Sequence, residues 1–187
     1  GEGWLTADHI ILGNGSYDIL CNLNLLCLTR GKKVLGHAPQ FTAYVDHVHC
    51  TGSVYECCYL DRADGYRFHV EDYLEKMSAE YGLFIVENNI NPTGLPVRLE
   101  DIGRIADRAA AWGKLLVVDE AYAEYLPFSA SAINLIPRPP NLIVTRSFSK
   151  GWGMAGVRLG YGVSSTQSGL LPQLEKLERG VRTLPYN

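Results

Sequence analysis

The stretch Lys114-Leu-Leu-Val-Val-Asp-Glu120 narrows the possible folds more than any other. Its apolar residues are consecutive rather than alternating, which suits a strand covered on both faces. Covering both faces takes helices, and the chain supplies them. His9-Ile-Ile-Leu12, Val34-Leu35, Ser53 to Leu60, Leu83-Phe-Ile-Val86, Asn141-Leu-Ile-Val-Thr145 and Val157 to Val163 read as further strands. Apolar stripes at helical spacing lie between them. The first is Ile19, Leu20, Leu23, Leu26 and Cys27, with Ser16 as its expected N-cap. The second is opened by Pro39, carries Phe41, Tyr44, Val45 and Val48, and ends near Gly52. The third is Val70, Leu74, Met77 and Tyr81, stopping at Gly82. The fourth runs from about Arg98 to Trp112, with Leu99, Ile102, Ile105, Ala106 and Ala109 inward and Gly113 as its cap. Leu170, Leu171, Leu174 and Leu177 mark the last. This alternation predicts an α/β fold: a doubly wound, mostly parallel sheet with helices on both faces.

Composition sets limits on partners. The chain has 187 residues, which predicts one domain. A net charge of −3 gives no argument for a nucleic-acid or anionic-membrane surface. No apolar run approaches the ~20 residues of a membrane-spanning helix, and no signal-peptide pattern opens the sequence. Five cysteines, an odd count without C-x-x-C spacing, read as free thiols in a reducing compartment. His47-Val-His49-Cys50 has no spaced second ligand pair, so no metal is expected. The chain begins at Gly1 and stops at Leu184-Pro-Tyr-Asn187 with no closing element, which leads us to expect a piece of something longer.

Chemistry concentrates in Thr145-Arg-Ser-Phe-Ser-Lys-Gly-Trp-Gly-Met-Ala-Gly-Val-Arg-Leu-Gly-Tyr161. Lys150 falls just past an apolar strand, among Ser147, Ser149, Arg158 and glycines. Hydroxyls, a guanidinium and free glycine N–H groups are what a phosphate needs. A lysine amine can bond covalently to a carbonyl as a Schiff base. A phosphate and an aldehyde on one molecule describe pyridoxal phosphate. Two other readings fit parts of the stretch. Gly151-Trp-Gly-Met-Ala-Gly156 matches G-x-G-x-x-G, but a strand follows where the dinucleotide fingerprint needs a helix. A basic loop without a ligand is the plainer alternative. Val157 and Leu159 flank Arg158, so its backbone is expected partly buried and its side chain aimed inward at the sheet edge.

Other polar groups fall at strand ends too, where open α/β sheets bind ligands. Gly13-Asn-Gly-Ser16 is a glycine turn leading into a helix, an anion site by its N–H groups and dipole. Asn91 follows Leu83–Val86 and, preceding Pro92, is held extended. Asp119 ends the central strand, either as a functional carboxylate or as a helix cap, and Tyr122 follows it. A magnesium site of a nucleotide hydrolase would also suit Asp119, but G-x-x-x-x-G-K-[ST] occurs nowhere in the chain. For pyridoxal phosphate each part has a use. A carboxylate keeps the pyridine nitrogen protonated, and Asp119 suits that. Asn91 and Tyr122 can donate to the ring oxygen. Gly15, Ser16, Ser147, Ser149 and Arg158 can hold the phosphate. Lys150 can hold the aldehyde and, when free, move a proton.

Gly13-Asn-Gly-Ser16, Asn91-Pro-Thr-Gly94, Asp119-Glu-Ala-Tyr122, Ser147-Phe-Ser-Lys150 and Arg158-Leu-Gly-Tyr161 resemble the motifs of the class I/II aminotransferases of fold type I. Within that family the match is most similar to the histidinol-phosphate aminotransferases. The resemblance covers about Ile10 to Asn187 and implies the large cofactor-binding domain over residues 1–187. It implies Lys150 as the cofactor's lysine, Asp119 at the pyridine nitrogen, and Asn91 and Tyr122 at the ring oxygen. It places Gly15, Ser16, Ser147, Ser149 and Arg158 at the phosphate, and Phe41 stacked on the ring. It also implies a cytoplasmic homodimer acting on an amino donor and a 2-oxo acid, best L-histidinol phosphate and 2-oxoglutarate. Threonine-phosphate decarboxylase-like or aromatic amino-acid aminotransferase activity and a non-catalytic cofactor-binding module are the alternatives. The family's N-terminal arm and its small C-terminal domain, which carries the substrate-gripping arginine, find no match here. The chain departs from the family at Asn88-Asn-Ile-Asn91, where Asn-Pro-Asn-Asn is common, and at Tyr17, where an acid is usual.

Overall fold

The computed structural model describes residues 3–138 and 140–182, with side chains to 178. Pro139 and the closing Leu184–Asn187 stretch lie outside the described residues. Seven strands form one sheet: β1 Ile10–Gly13, β2 Lys33–Ala38, β3 Val54–Tyr59, β4 Tyr81–Glu87, β5 Leu115–Asp119, β6 Leu142–Ser147 and β7 Gly160–Ser164. Their order is β1-β7-β6-β5-β4-β2-β3. β7 runs antiparallel to both neighbours, and every other pairing is parallel. Parallel neighbours need a crossover, usually helical. The β6–β7 connection contains only the short 3-10 turn Ala155–Val157, so that pair is antiparallel.

Among the described residues five α-helices cover the sheet: α1 Ser16–Cys27, α2 Thr42–Cys50, α3 Val70–Lys76, α4 Leu99–Ala111 and α5 Leu170–Arg182. The central strands alternate between two cores. Phe84, Val86, Leu116, Val118, Leu142 and Val144 pack with α3 and α4, against Tyr73, Leu74, Ile102 and Ile105. Leu83, Ile85, Val117 and Ile143 pack with α1, α2 and α5, against Ile19, Leu23, Tyr44, Val48 and Leu174. Both faces are therefore apolar and both are covered, as the unbroken apolar runs require. α4 shows the local logic. Ile102, Ile105, Ala106 and Ala109 form its buried stripe, and Glu100 and Asp101 sit in its first turn against the helix dipole. Gly113, with φ of 62°, then turns the chain away just beyond its end. Among the described residues no helix is long and apolar enough to cross a membrane.

Several boundaries differ from the sequence expectations. α3 stops at Lys76, and Tyr81 opens β4 rather than closing a helix. Its burial comes from the sheet, which a helical count of positions 70, 74, 77 and 81 imitates by coincidence of spacing. α2 opens at Thr42, not at Pro39. β7 opens at Gly160, because Ala155–Val157 is a 3-10 turn and Arg158 is left-handed at φ 55°. Gly15, at φ 83°, is the N-cap of α1, and Ser16 is its first helical residue with no capping bond.

Gly160 fixes how α1 meets the sheet. It pairs with Gly13 on β1 and with Ser147 on β6. A Cβ there would lie 2.4 Å from Gly15 C and from Ser16 N. These are backbone atoms of the turn before α1, and they cannot rotate away. Gly160→Ala should therefore destabilise the chain by ~1–3 kcal/mol, the scale of overpacking, read as a lower midpoint in urea unfolding at unchanged m-value. An unchanged midpoint would mean the turn does not rest on Gly160.

Candidate active site

One cavity lies at the C-terminal edge of the parallel strands. It is lined by Ser16 and Tyr17 after β1, Phe41 after β2, Glu87, Asn89 and Asn91 from β4 onward, Asp119, Ala121 and Tyr122 from β5, Ser147, Ser149 and Lys150 from β6, and Arg158 before β7. Nine of the residues expected from sequence thus meet: Ser16, Phe41, Asn91, Asp119, Tyr122, Ser147, Ser149, Lys150 and Arg158. Gly15 does not line the cavity. It lies behind Arg158, where an added Cβ would come within 2.8 Å of the guanidinium.

Part of the cavity lining is an anion cradle. Arg158 Nη1 donates to Ser149 Oγ at 3.2 Å, and Nη2 donates to Asn14 O at 3.4 Å. The Ser149 N–H donates to Ser147 Oγ at 3.1 Å. Arg158 has only neutral oxygen partners among the described residues, so its charge is unmatched. Its burial differs from expectation. Arg158 is exposed and Val157 is 59% exposed, because the left-handed backbone lifts this segment off the sheet before β7 begins. The side chain still reaches the cradle, across the Gly15 backbone.

Asp119, which also lines the cavity, is 6% exposed. Thr145 Oγ1 donates to its Oδ1 at 3.0 Å, and the Ala121 N–H donates to the same oxygen at 3.2 Å. Oδ2 has no protein donor among the described residues. Burial pushes the Asp119 carboxyl up to about 6, with Thr145, Ala121 and the Lys150 charge pulling the other way. A carboxylate held in this state favours a cation beside it. The helix-cap reading of Asp119 fails, since only the 3-10 turn Ala123–Tyr125 follows, capped by Tyr122. The Lys150 Nζ, at the exposed side, stands 5.3 Å from the Tyr122 ring centroid. The Phe41 ring meets Tyr17 edge-on at 5.7 Å.

Neighbouring Glu120 is structural. It accepts bonds from Arg146 Nη2 at 2.9 Å, Ser131 Oγ at 2.7 Å and the Ala132 N–H at 2.6 Å. His47, considered for a metal, is instead within 3.1 Å of Asn24 Nδ2.

Sequence reasoning missed Tyr17, Glu87, Asn89 and Ala121 as lining residues. Glu87 carried a readable signal, since it ends the apolar run Leu83–Val86 as Asp119 ends Leu115–Val118. The two acids are register partners on β4 and β5. Burial first, and Asp119 second, push Glu87 from its ordinary 4.5 up to about 8. His37, also buried, is pushed down from 6.5 to about 4. These shifts act oppositely on stability. Below pH 6.5 the unfolded imidazole takes a proton that folded His37 refuses, so stability rises with pH there. The folded chain holds a proton on Glu87 that the unfolded chain releases, so stability falls as pH rises toward 8. The unfolded imidazole and the Asp119 carboxyl have given up most of their protons by about pH 7, so between about pH 7 and 8 the Glu87 effect is the largest of the three. Thermal stability should fall across that window with a slope of at most about 1.4 kcal/mol per pH unit. The slope should vanish in Glu87→Gln, and an equal slope in both proteins would show that Glu87 does not titrate there.

The chain is similar in sequence and fold to known proteins. The pattern of the family described as aminotransferase class I and II matches residues 4–184. A histidinol-phosphate aminotransferase of Carboxydothermus hydrogenoformans is 36% identical over 181 residues, 96% of this chain and 48% of that protein. One of Nitrosospira multiformis is 34% identical over 161 residues, 85% of this chain and 40% of that protein. The histidinol-phosphate aminotransferase of Sinorhizobium meliloti, solved in complex with pyridoxal-5'-phosphate, superposes with a TM-score of 0.77 at 25% identity, covering 94% of this chain and 51% of its own. An aspartate aminotransferase of Thermus thermophilus shares the fold with a TM-score of 0.84 at 22% identity, covering 97% of this chain and 49% of its own. The chain spans about half the length of the curated relatives it matches. With the family pattern running through all but the ends of the sequence, the chain belongs to the class I and II aminotransferases.

Proposed function

We propose that this chain is the cofactor-binding large domain of a pyridoxal-phosphate-dependent aminotransferase. One observation carries the reading: a single cavity joins an unmatched guanidinium among hydroxyls, a lysine amine and a buried carboxylate. That donor set fits a phosphate, an aldehyde and a protonated ring nitrogen in turn. Ser16, Ser147, Ser149 and Arg158 would hold the phosphate, with the Gly15 backbone behind them. Asp119 would hold the ring nitrogen, Asn91 and Tyr122 the ring oxygen, and Phe41 the ring face. Bound there, the cofactor supplies an electron-withdrawing ring that stabilises charge developing at the substrate's amino-bearing carbon.

The chain's own residues do the rest. Asp119, fixed by Thr145 and Ala121 through one oxygen, keeps the other oriented for a ring N–H. Lys150 is the amine that holds the aldehyde and, when displaced, carries a proton at Nζ. The Tyr122 ring lies beneath the Lys150 amine, 5.3 Å from Nζ to the ring centroid, and attracts its positive charge there. The favoured donor and acceptor are L-histidinol phosphate and 2-oxoglutarate, on the strength of relatives such as those of Carboxydothermus and Nitrosospira. A cytoplasmic homodimer completes the reading. Five free thiols support the compartment. Tyr125, Phe128, Trp152 and Met154, exposed in the loops after β5 and β6, support an apolar partner surface.

Borohydride treatment of the chain with pyridoxal phosphate should fix the cofactor's mass on Lys150, located by peptide mass spectrometry. Added amino donor should bleach the visible colour before reduction; a non-catalytic module would keep it. Adducts on Lys32, Lys33, Lys76, Lys114 or Lys176 instead would sink the assignment.

Because Arg158 is exposed, its contribution to phosphate binding is screened. Arg158→Ala should weaken cofactor affinity about tenfold, the scale of one charge-assisted hydrogen bond in a partly wet setting. Arg158→Lys should recover part of that, since a point charge replaces a fork. Fluorescence titrations giving equal affinities for all three proteins would move the phosphate away from Arg158.

A further inference from the structure

Glu87 is 2% exposed, lines the cavity, and has no part in the reaction proposed above. Its carboxylate is bonded in an unusual way. The Phe41 N–H donates to Oε1 and the Asn91 N–H donates to Oε2, each at 2.8 Å. Phe41 immediately precedes α2, and Asn91 lies in the loop after β4. Both side chains line the cavity from these separate segments. One side chain thus ties together two stretches of backbone that carry two walls of the site.

The charged and titratable groups around it are few. Asp119 stands beside it on β5. His37 of β2 accepts the Glu87 backbone N–H at Nε2, 3.1 Å, and its Nδ1 lies 2.8 Å from Pro39 O, so the ring is neutral with its proton on Nδ1. Tyr55 of β3 is held by His37 O and Gln40. Lys150 acts from the β6 side, through Asp119. No cationic side chain among the described residues bonds the Glu87 carboxylate.

We propose that Glu87 is a positioning residue whose ionised carboxylate clamps the Phe41 and Asn91 N–H groups and so closes two walls of the cavity on the cofactor ring. The clamp is a property of the chain itself; only the identity of the ring rests on the cofactor reading above. Both partners are donors, so the clamp needs two acceptor oxygens. Protonation makes one of the two oxygens a hydroxyl, a poorer acceptor than a carboxylate oxygen, and so weakens one of the two bonds. Burial and Asp119 hold that proton up to about pH 8, against the pull of the two N–H groups. A cation arriving beside Asp119 offsets the repulsion between the acids and favours release of the Glu87 proton to solvent. Cofactor binding and clamp closure are then linked.

Backbone NMR of the chain without cofactor, from about pH 6 to about pH 9.5, tests the clamp directly. The Phe41 and Asn91 amide resonances should titrate with one shared midpoint near 8, and both should stay flat in Glu87→Gln. Separate midpoints, no titration, or a titration that survives Glu87→Gln would overturn the proposal. If Glu87→Gln fails to fold, the parent titration alone decides. The link to binding is read with 4-deoxypyridoxine 5'-phosphate, which lacks the aldehyde and leaves Lys150 out of account. The parent should bind it about tenfold more tightly than Glu87→Gln above the midpoint, and within about threefold well below it. A loss equal at every pH would mark Glu87 as merely structural and overturn the clamp. If labelling of Lys150 fails while the two amides still share a midpoint, the cofactor reading falls and the clamp stands. If labelling succeeds and the shared midpoint is absent, the reverse holds.

Discussion

The parallel ladder β4–β5–β6 is the constraint on which the site depends. Its register sets Glu87 against Asp119 and Asp119 against Thr145. Register in a two-sided buried sheet cannot slip by one residue without sending every apolar side chain to the wrong core. Leu116 and Val118 belong to one core and Val117 to the other, so β5 is locked. The polar residues at the strand ends are therefore placed by apolar packing several residues away. Asp119 has the Thr145 hydroxyl beside it because Val117 faces Ile143 across the ladder.

Two adjacent acids at the end of β5 show what environment does to identical chemistry. Glu120 is fully buried but accepts bonds from Arg146, Ser131 and Ala132, so its charge is met within the protein. Asp119 has donors at one oxygen only, and Glu87 has two backbone N–H groups and no counter-charge. Their carboxyls are pushed up to about 6 and about 8 respectively. The cavity lining thus combines two carboxyls held above their ordinary range with an Arg158 guanidinium that has only neutral oxygen partners among the described residues.

Much of this was legible in the residues. Unbroken apolar runs such as Leu83–Val86 and Leu115–Val118 predicted strands buried on both faces, and α4 was placed to within a residue at each end. Errors came where local pattern and tertiary burial diverge. Tyr81 continued a helical count but is buried by the sheet. Apolar flanks suggested that Arg158 is half-buried, yet one left-handed residue lifts Val157 into solvent. Glu87 was overlooked because an acid ending a strand reads as the start of a turn until its neighbour across the ladder is known.

The sequence by itself determined the kinds of groups available and their place at strand ends, because period, polarity and glycine placement are local properties. It also determined the family, since the motifs lie in a fixed order along one chain. Only the tertiary structure decided which strand ends adjoin. Pairing of β1 with β7 brings the Gly15–Ser16 turn against Gly160, and so brings Arg158 beside Ser149. Alignment of β4 with β5 makes Glu87 and Asp119 neighbours and shifts the protonation of both. Contacts between segments dozens of residues apart, and the desolvation that sets a buried charge, arise only when the sheet closes and water leaves.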